Sequence, residues 1–200
     1  MRRNLRHGAW AALIVLAVCA RTDAQAVYSA ARVKAAFLYH FTTYVNWPES
    51  ARSDDVFTIA VLGSDAVAGE LAAFLPGHEI QGRPMRVRRV ASIDDLNGAE
   101  VLYIGPRENR RLARHLEAIR SRPLLVVTDD PNGLQDGAMI NFRIVEERVR
   151  FEISLNAARQ AGLELSSRLL SAAMSVESAG AIMKLWREVA GVSMERAAPP

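Results

Sequence analysis

Side chains able to do chemistry are sparse and scattered in this 200-residue sequence. Beyond the first few residues the histidines are His40, His78 and His115, in three separate stretches, with neither HxxxH nor HExxH spacing. A metal needs several converging ligands, and paired histidines one helical turn apart are the usual sign of them. Lone histidines read as surface or partly buried side chains, so neither a metal nor a cofactor is expected. A GxSxG elbow is missing. Gly63 and Gly69 lie six apart, but Glu70 and Leu71 follow where a phosphate loop has Lys and Ser or Thr. Asp129-Asp130 could be drawn as an acidic pocket, yet directly before Pro131 they read as turn formers. No catalytic residue is assigned, and the chain is not read as an enzyme.

Recognition chemistry remains. Arg83, Arg86, Arg88 and Arg89 form one arginine cluster, and Arg107, Arg110, Arg111 and Arg114 another. Guanidinium forks match carboxylates and phosphates in two-pronged fashion. The second cluster opens a predicted helix, where each cation opposes the macrodipole by roughly a few tenths of a kcal/mol. Arg110 and Arg114 are therefore candidates for contact with a partner or anion. Tyr39 and His40 point away from the apolar stripe of their helix and are candidates to face a ligand or a second subunit.

The elements that must position these groups follow from periodicity. Residues 28–47 read as a helix with Val33, Phe37, Phe41 and Tyr44 as its apolar stripe, ended by Pro48. Residues 49–55 read as a loop. Continuous apolar runs at 56–62, 101–104 and 124–128 read as strands covered on both faces, with a further strand at 85–90. Helices are predicted from Ser64-Asp65 to Pro76 and over 107–120, a short capped turn at 92–98, and a loop at 129–137. Segments 138–145 and 148–155 flank Glu146-Glu147 as a β-hairpin. Arg150 and Glu152 share one strand face there, a spacing that suits a structural pair. Helices follow at 157–161, with Asn156 as N-cap, and at 163–174. A weak stripe of Ile182, Trp186 and Val189 marks the tail. The alternation predicts an α/β three-layer sandwich with a mixed, mostly parallel central sheet that ends in a β-hairpin and is flanked by helices.

The N-terminus explains the charge. Arg2, Arg3 and Arg6 precede an uncharged apolar run over 9–20, the length of a signal-peptide core and too short for a membrane span. Cleavage is expected after Ala26, which makes residues 1–26 a signal peptide and the location periplasmic. Cys19, the single cysteine, follows Val18 where a lipobox has a small residue, so lipid anchoring is not expected. The mature chain then has no disulfide and no thiol nucleophile. The first 26 residues hold four arginines and one acid, which leaves 21 basic and 21 acidic side chains. The sequence pI of about 9.4 thus belongs to the export signal, and no nucleic-acid partner is expected.

Two segments go beyond generic patterning. KAAFLYHFTTYVNWP (34–48) resembles the opening helix of the YfiR family of bacterial periplasmic proteins, and RVRFEISLNAARQAGLELSSRLL (148–170) resembles that family's C-terminal signature. Shorter matches at 59–63, 82–84 and 137–140 fall between them in order. The resemblance implies a regulator that binds and represses the periplasmic sensor region of an inner-membrane diguanylate cyclase. It further implies sequestration by an outer-membrane lipoprotein, and dimers. It would make residues 27–174 a YfiR-like α/β domain and 175–200 a C-terminal helical extension and tail. The polar signature positions Arg150, Glu152, Asn156 and Arg168 become candidate partner or ligand residues. Two departures stand out: the mature chain lacks the periplasmic cysteines of well-known members, and its tail is longer. The competing expectation is a periplasmic module that senses a small anion through its arginines and feeds another membrane partner.

Overall fold

Three runs, FTIAVL, VLYI and LVVT, lack any charged residue, and such strands are stable only when both faces are covered. The computed structural model describes residues 29–49 and 55–177, and in it these runs are the buried centre of an eight-stranded sheet. In chain order the elements are α1 (Ala30–Thr43), β1 (Val45–Asn46), β2 (Phe57–Leu62), α2 (Asp65–Phe74), β3 (Glu79–Ile80), β4 (Arg83–Val90) and β5 (Val101–Ile104). There follow α3 (Leu112–Ile119), β6 (Leu125–Thr128), α4 (Gly133–Asp136), β7 (Ile140–Val145) and β8 (Arg148–Ser154). The chain closes with α5 (Leu155–Gln160), β9 (Glu164–Leu165), α6 (Ser167–Ala172) and β10 (Ser175–Glu177).

The sheet order is β10-β8-β7-β6-β5-β2-β4-β3. Only the β7–β8 hairpin and the β3–β4 edge are antiparallel. Alternate residues of the central strands supply two cores. Ile59, Val61, Tyr103 and Val127 pack with α1 and α2 on one face. Ala60, Leu62, Leu102, Ile104 and Val126 pack with Leu112, Leu116 and Ile119 of α3 on the other. This is the mixed, mostly parallel α/β sandwich read from the sequence.

Several boundaries differ, the first two because a tertiary contact outweighs local periodicity. α1 stops at Thr43 rather than running to Trp47, since Val45–Asn46 pair antiparallel with Glu164–Leu165 and Ser166 N–H donates to Tyr44 O at 2.9 Å. The same pairing breaks the helix expected over 163–174 into β9 and α6. α5 begins two residues early: Ser154 Oγ accepts from Ala157 N–H at 3.4 Å, so Ser154 is the N-cap and Asn156 lies inside the helix. The helix expected over 107–120 starts as a 3₁₀ segment, Pro106–Arg111, before α3. The loop at 129–137 contains α4, and Arg83 and Pro84 already belong to β4. Residues 175–177, assigned above to a helical extension, form a strand parallel to β8. The signal peptide, Cys19 and the Ile182–Trp186–Val189 stripe lie outside the described residues.

Candidate functional site

In a doubly wound sheet, ligands bind where neighbouring strands send their chains to opposite faces, here between the carboxyl ends of β2 and β5. That crevice is closed. Gly105 N–H donates to Leu62 O at 2.8 Å, and the loops after the two strands touch backbone to backbone. A Cβ on Gly105 would lie 2.6 Å from Ser64 Cβ and 2.7 Å from Gly63 O. Arg107, paired with Asp65 at 2.7 Å, lies across the outside.

One strand further along, the sheet is open. Asp129 follows β6, Tyr103 comes from β5 and Lys34 from α1. Lys34 Nζ ion-pairs with Asp129 Oδ2, and Tyr103 OH donates to the same oxygen at 2.9 Å. Both charged side chains are largely buried, and Lys34 lies 6.0 Å from the Phe142 ring centroid. Burial first, and then the Asp129 carboxylate, push the Tyr103 hydroxyl well above the ordinary phenol pKa. A cavity of about 320 Å³ opens beside the pair, lined by Lys34, Asp129, Asp130, Phe142, Arg143 and Ile144. Sequence reasoning saw Asp129 as a turn former and missed this triad. Its only signal was Lys34, the first residue of the resembling segment and one of two lysines past the leader.

Beneath it runs a polar chain. Thr128 Oγ1 donates to Asn141 Oδ1 at 2.8 Å, and Asn141 Nδ2 donates to Glu152 Oε1 at 2.9 Å. Glu152 is thus held by Asn141 and not by Arg150, against the pairing expected from their spacing. Arg150 is exposed and sits directly across the hairpin from Arg143, whose guanidinium donates to Pro131 O at 3.1 Å. Like charges opposite one another disfavour the sheet slightly.

The structure brings two other candidates together. His40 from α1 and Arg168 from α6 rim an apolar groove of about 210 Å³ whose walls include Phe37, Tyr44, Phe151 and Leu169. Phe37 and Tyr44, expected as core, are only half-buried because they line this groove, while Ala35, Leu38 and Phe41 face the interior. Tyr39 turns the other way, stacking edge-on with Phe74 and His78 at 5.2 and 4.9 Å. Asn156 lies on α5, away from both openings, and lines a separate cleft of about 200 Å³ with Ser154 and Gln160.

The arginine clusters separate. Arg83 ion-pairs with buried Glu100, Arg86 Nε donates to Thr58 Oγ1 at 2.8 Å and Arg88 to Asn97 O at 2.7 Å. These forks hold strands rather than a ligand. In the second cluster Arg107 pairs with Asp65 and Arg111 with Glu108, whose carboxylate is held below its ordinary pKa chiefly by its hydrogen bond with His115. Arg110 and Arg114 are left exposed on this surface, and Arg110 lies on the 3₁₀ segment rather than at an α-helix N-terminus. Among the described residues no group of three His, Cys, Asp or Glu converges to hold a metal, and no helix is long and apolar enough to cross a membrane.

Fold and surface together define an α/β sandwich whose openings include a buried ion pair's cavity and an apolar groove between its first and sixth helices. A family model described as YfiR/HmsC-like matches residues 31–174, and the chain belongs to that family. No curated protein matches the chain. A solved structure of a conserved domain protein from Vibrio cholerae is similar with a TM-score of 0.50 at 13% identity, over 74% of this chain and 60% of that one. This chain therefore spans about 60% of that protein's length. The ABC domain solved in complex with L-Trp from Streptococcus pneumonia aligns with a TM-score of 0.47 at 12% identity, over 64% of this chain and 57% of that one.

Proposed function

We propose that this protein is an exported periplasmic regulator, not an enzyme, that binds the periplasmic sensor region of an inner-membrane diguanylate cyclase and represses it. One observation carries the reading. The two segments that resemble the YfiR family lie about a hundred residues apart in the chain, yet they converge on a single apolar groove rimmed by His40 and Arg168. An apolar floor with a charged rim is the anatomy of a protein-binding surface. Membership of the YfiR/HmsC-like family supports the same direction.

Repression needs only differential binding. A regulator that prefers the inactive cyclase by about 1.4 kcal/mol shifts its equilibrium tenfold. In this proposal an outer-membrane lipoprotein competes for the repressor, so envelope state sets cyclic-di-GMP output. A homodimer is compatible with the groove. Deleting the gene raises cyclic-di-GMP and surface attachment, and the double substitution His40→Glu with Arg168→Glu does the same while leaving the thermal midpoint near that of the parent. Unchanged cyclic-di-GMP on deletion, with no membrane cyclase recovered on the tagged protein, would refute the proposal.

A further inference from the structure

We propose that the cavity beside the Lys34–Asp129 pair binds a neutral polyol, a small sugar, one hydroxyl of which bridges Asp129 Oδ1 and Lys34 Nζ. The pair leaves hydrogen-bonding capacity unused. Asp129 has a side chain only 9% exposed, and its Oδ2 takes both the Lys34 ammonium and the Tyr103 hydroxyl. Its other oxygen, Oδ1, is buried and has no hydrogen-bond partner among the described residues. Buried polar atoms are nearly always paired, and an unpaired carboxylate oxygen is a costly one. Lys34 Nζ carries three N–H donors, and Asp129 Oδ2 is its one hydrogen-bond partner among the described residues. An unmet acceptor and unmet donors thus stand side by side in one wall of the cavity. The last torsion of an aspartate is soft, so a small turn of the carboxylate presents Oδ1 to an occupant.

A hydroxyl fits that wall because it donates and accepts from the same atom. Its proton goes to Oδ1, and its lone pairs take an N–H from Lys34. The remaining walls decide what carries the hydroxyl. Lys34 and Arg143 offer two positive charges, and Asp129 and Asp130 two negative ones. An ion of either sign would meet as much repulsion as attraction there, so the balance favours a neutral ligand. Asp130 and Arg143 are half-buried and give further hydroxyls an acceptor and donors. Phe142 and the exposed Ile144 supply the apolar part of the lining, against which the C–H face of a sugar ring can lie. At about 320 Å³ the cavity is at the small end of the roughly 300–1,000 Å³ range of ligand sites.

The test needs only the purified protein and does not depend on any cyclase. Glucose, galactose, ribose and myo-inositol are titrated calorimetrically, beside gluconate and glucosamine as charged counterparts of glucose. The expected result is saturable binding of at least one neutral polyol, with both charged counterparts several-fold weaker. Among mono-deoxy forms of the polyol that binds, one should lose most of the affinity, because a site built to hydrogen-bond a hydroxyl rejects the analogue lacking it. Asp129→Asn should weaken binding by about tenfold, the effect of losing a hydrogen bond to a charged group. Ile144→Trp narrows the cavity at an exposed position without touching the ion pair, and should weaken binding several-fold at an unchanged thermal midpoint. It keeps the test decisive if Asp129→Asn does not fold. Three results would each overturn the proposal: no binding by any neutral polyol of the panel, equal or tighter binding of a charged counterpart, or unchanged affinity in either folded variant.

Discussion

Removing the ammonium of Lys34 tests the buried triad most sharply. Lys34 and Asp129 have side chains 13% and 9% exposed, and among the described residues the Asp129 carboxylate has only Lys34 and the Tyr103 hydroxyl as partners. Lys34→Met keeps the aliphatic stem and leaves Asp129 as a buried charge held by one neutral donor. Breaking such a pair costs about 3–5 kcal/mol. For a domain of this size that lowers the melting midpoint by roughly 6–20 °C. Asp129→Asn alone should cost about 1–2 kcal/mol, because the amide oxygen still accepts from Tyr103 and the long lysine stem lets its ammonium reach water. The double variant Lys34→Met with Asp129→Asn holds no buried charge at the site. It should be more stable than Lys34→Met alone, with a coupling energy of about 2 kcal/mol. Urea titration of the four proteins at neutral pH measures the cycle. If the double variant is less stable than Lys34→Met, or the two losses simply add, the ion pair is not what holds α1 to the end of β6.

Three further outcomes follow from particular geometry. Gly105→Ala forces a Cβ to within 2.7 Å of Gly63 O and should cost about 1–3 kcal/mol in urea, an insertion that backbone contact cannot absorb. Glu146 and Glu147 turn the hairpin at φ of 49° and 61°, a left-handed conformation that side-chain-bearing residues adopt at a penalty, so replacing them with Asn-Gly should raise stability by about 1–2 kcal/mol. Glu108 has its folded pKa held below the ordinary carboxylate value, chiefly by the hydrogen bond with His115, so its contribution is present above the ordinary value and is lost as pH falls through the depressed one. Glu108→Gln should therefore be less stable than the parent by about 1 kcal/mol at pH 7, with the gap closing in acid, as thermal melts across the range would show.

The strands were the most legible part of the sequence. FTIAVL, VLYI and LVVT admit no polar gap, so burial on both faces and a covered parallel sheet follow from composition. The hairpin was legible too, because Val149, Phe151 and Ile153 alternate with polar residues. The helix ends were less so. Tyr44 and Val45 continue the period of α1, and only the pairing of Val45–Asn46 with a strand 120 residues later ends it. The candidate site was half visible for the same reason. His40 and Arg168 carry no mutual signal along the chain, and Lys34, Tyr103 and Asp129 meet because α1 crosses the sheet at β5 and β6. Arg83 and Arg86 misled in the opposite way: a dense basic run suggested an anion, while Glu100 and Thr58, far off in sequence, are what they hold.

β10 carries a consequence for how copies of this protein can meet. A long strand with an unpaired edge is a template for another chain, and β8, at seven residues, would be such a strand. Three residues of β10 pair with Glu152–Ser154 on that edge, and two residues of β3 pair with Arg83–Pro84 at one end of β4, the strand at the opposite margin. With both margins blunted, self-association by continuing the sheet from one molecule into the next is disfavoured, and contacts between copies are directed to the helical faces. A chain cut at Met174 would keep nearly every core residue and still expose the backbone of β8. Its failure would be aggregation rather than unfolding.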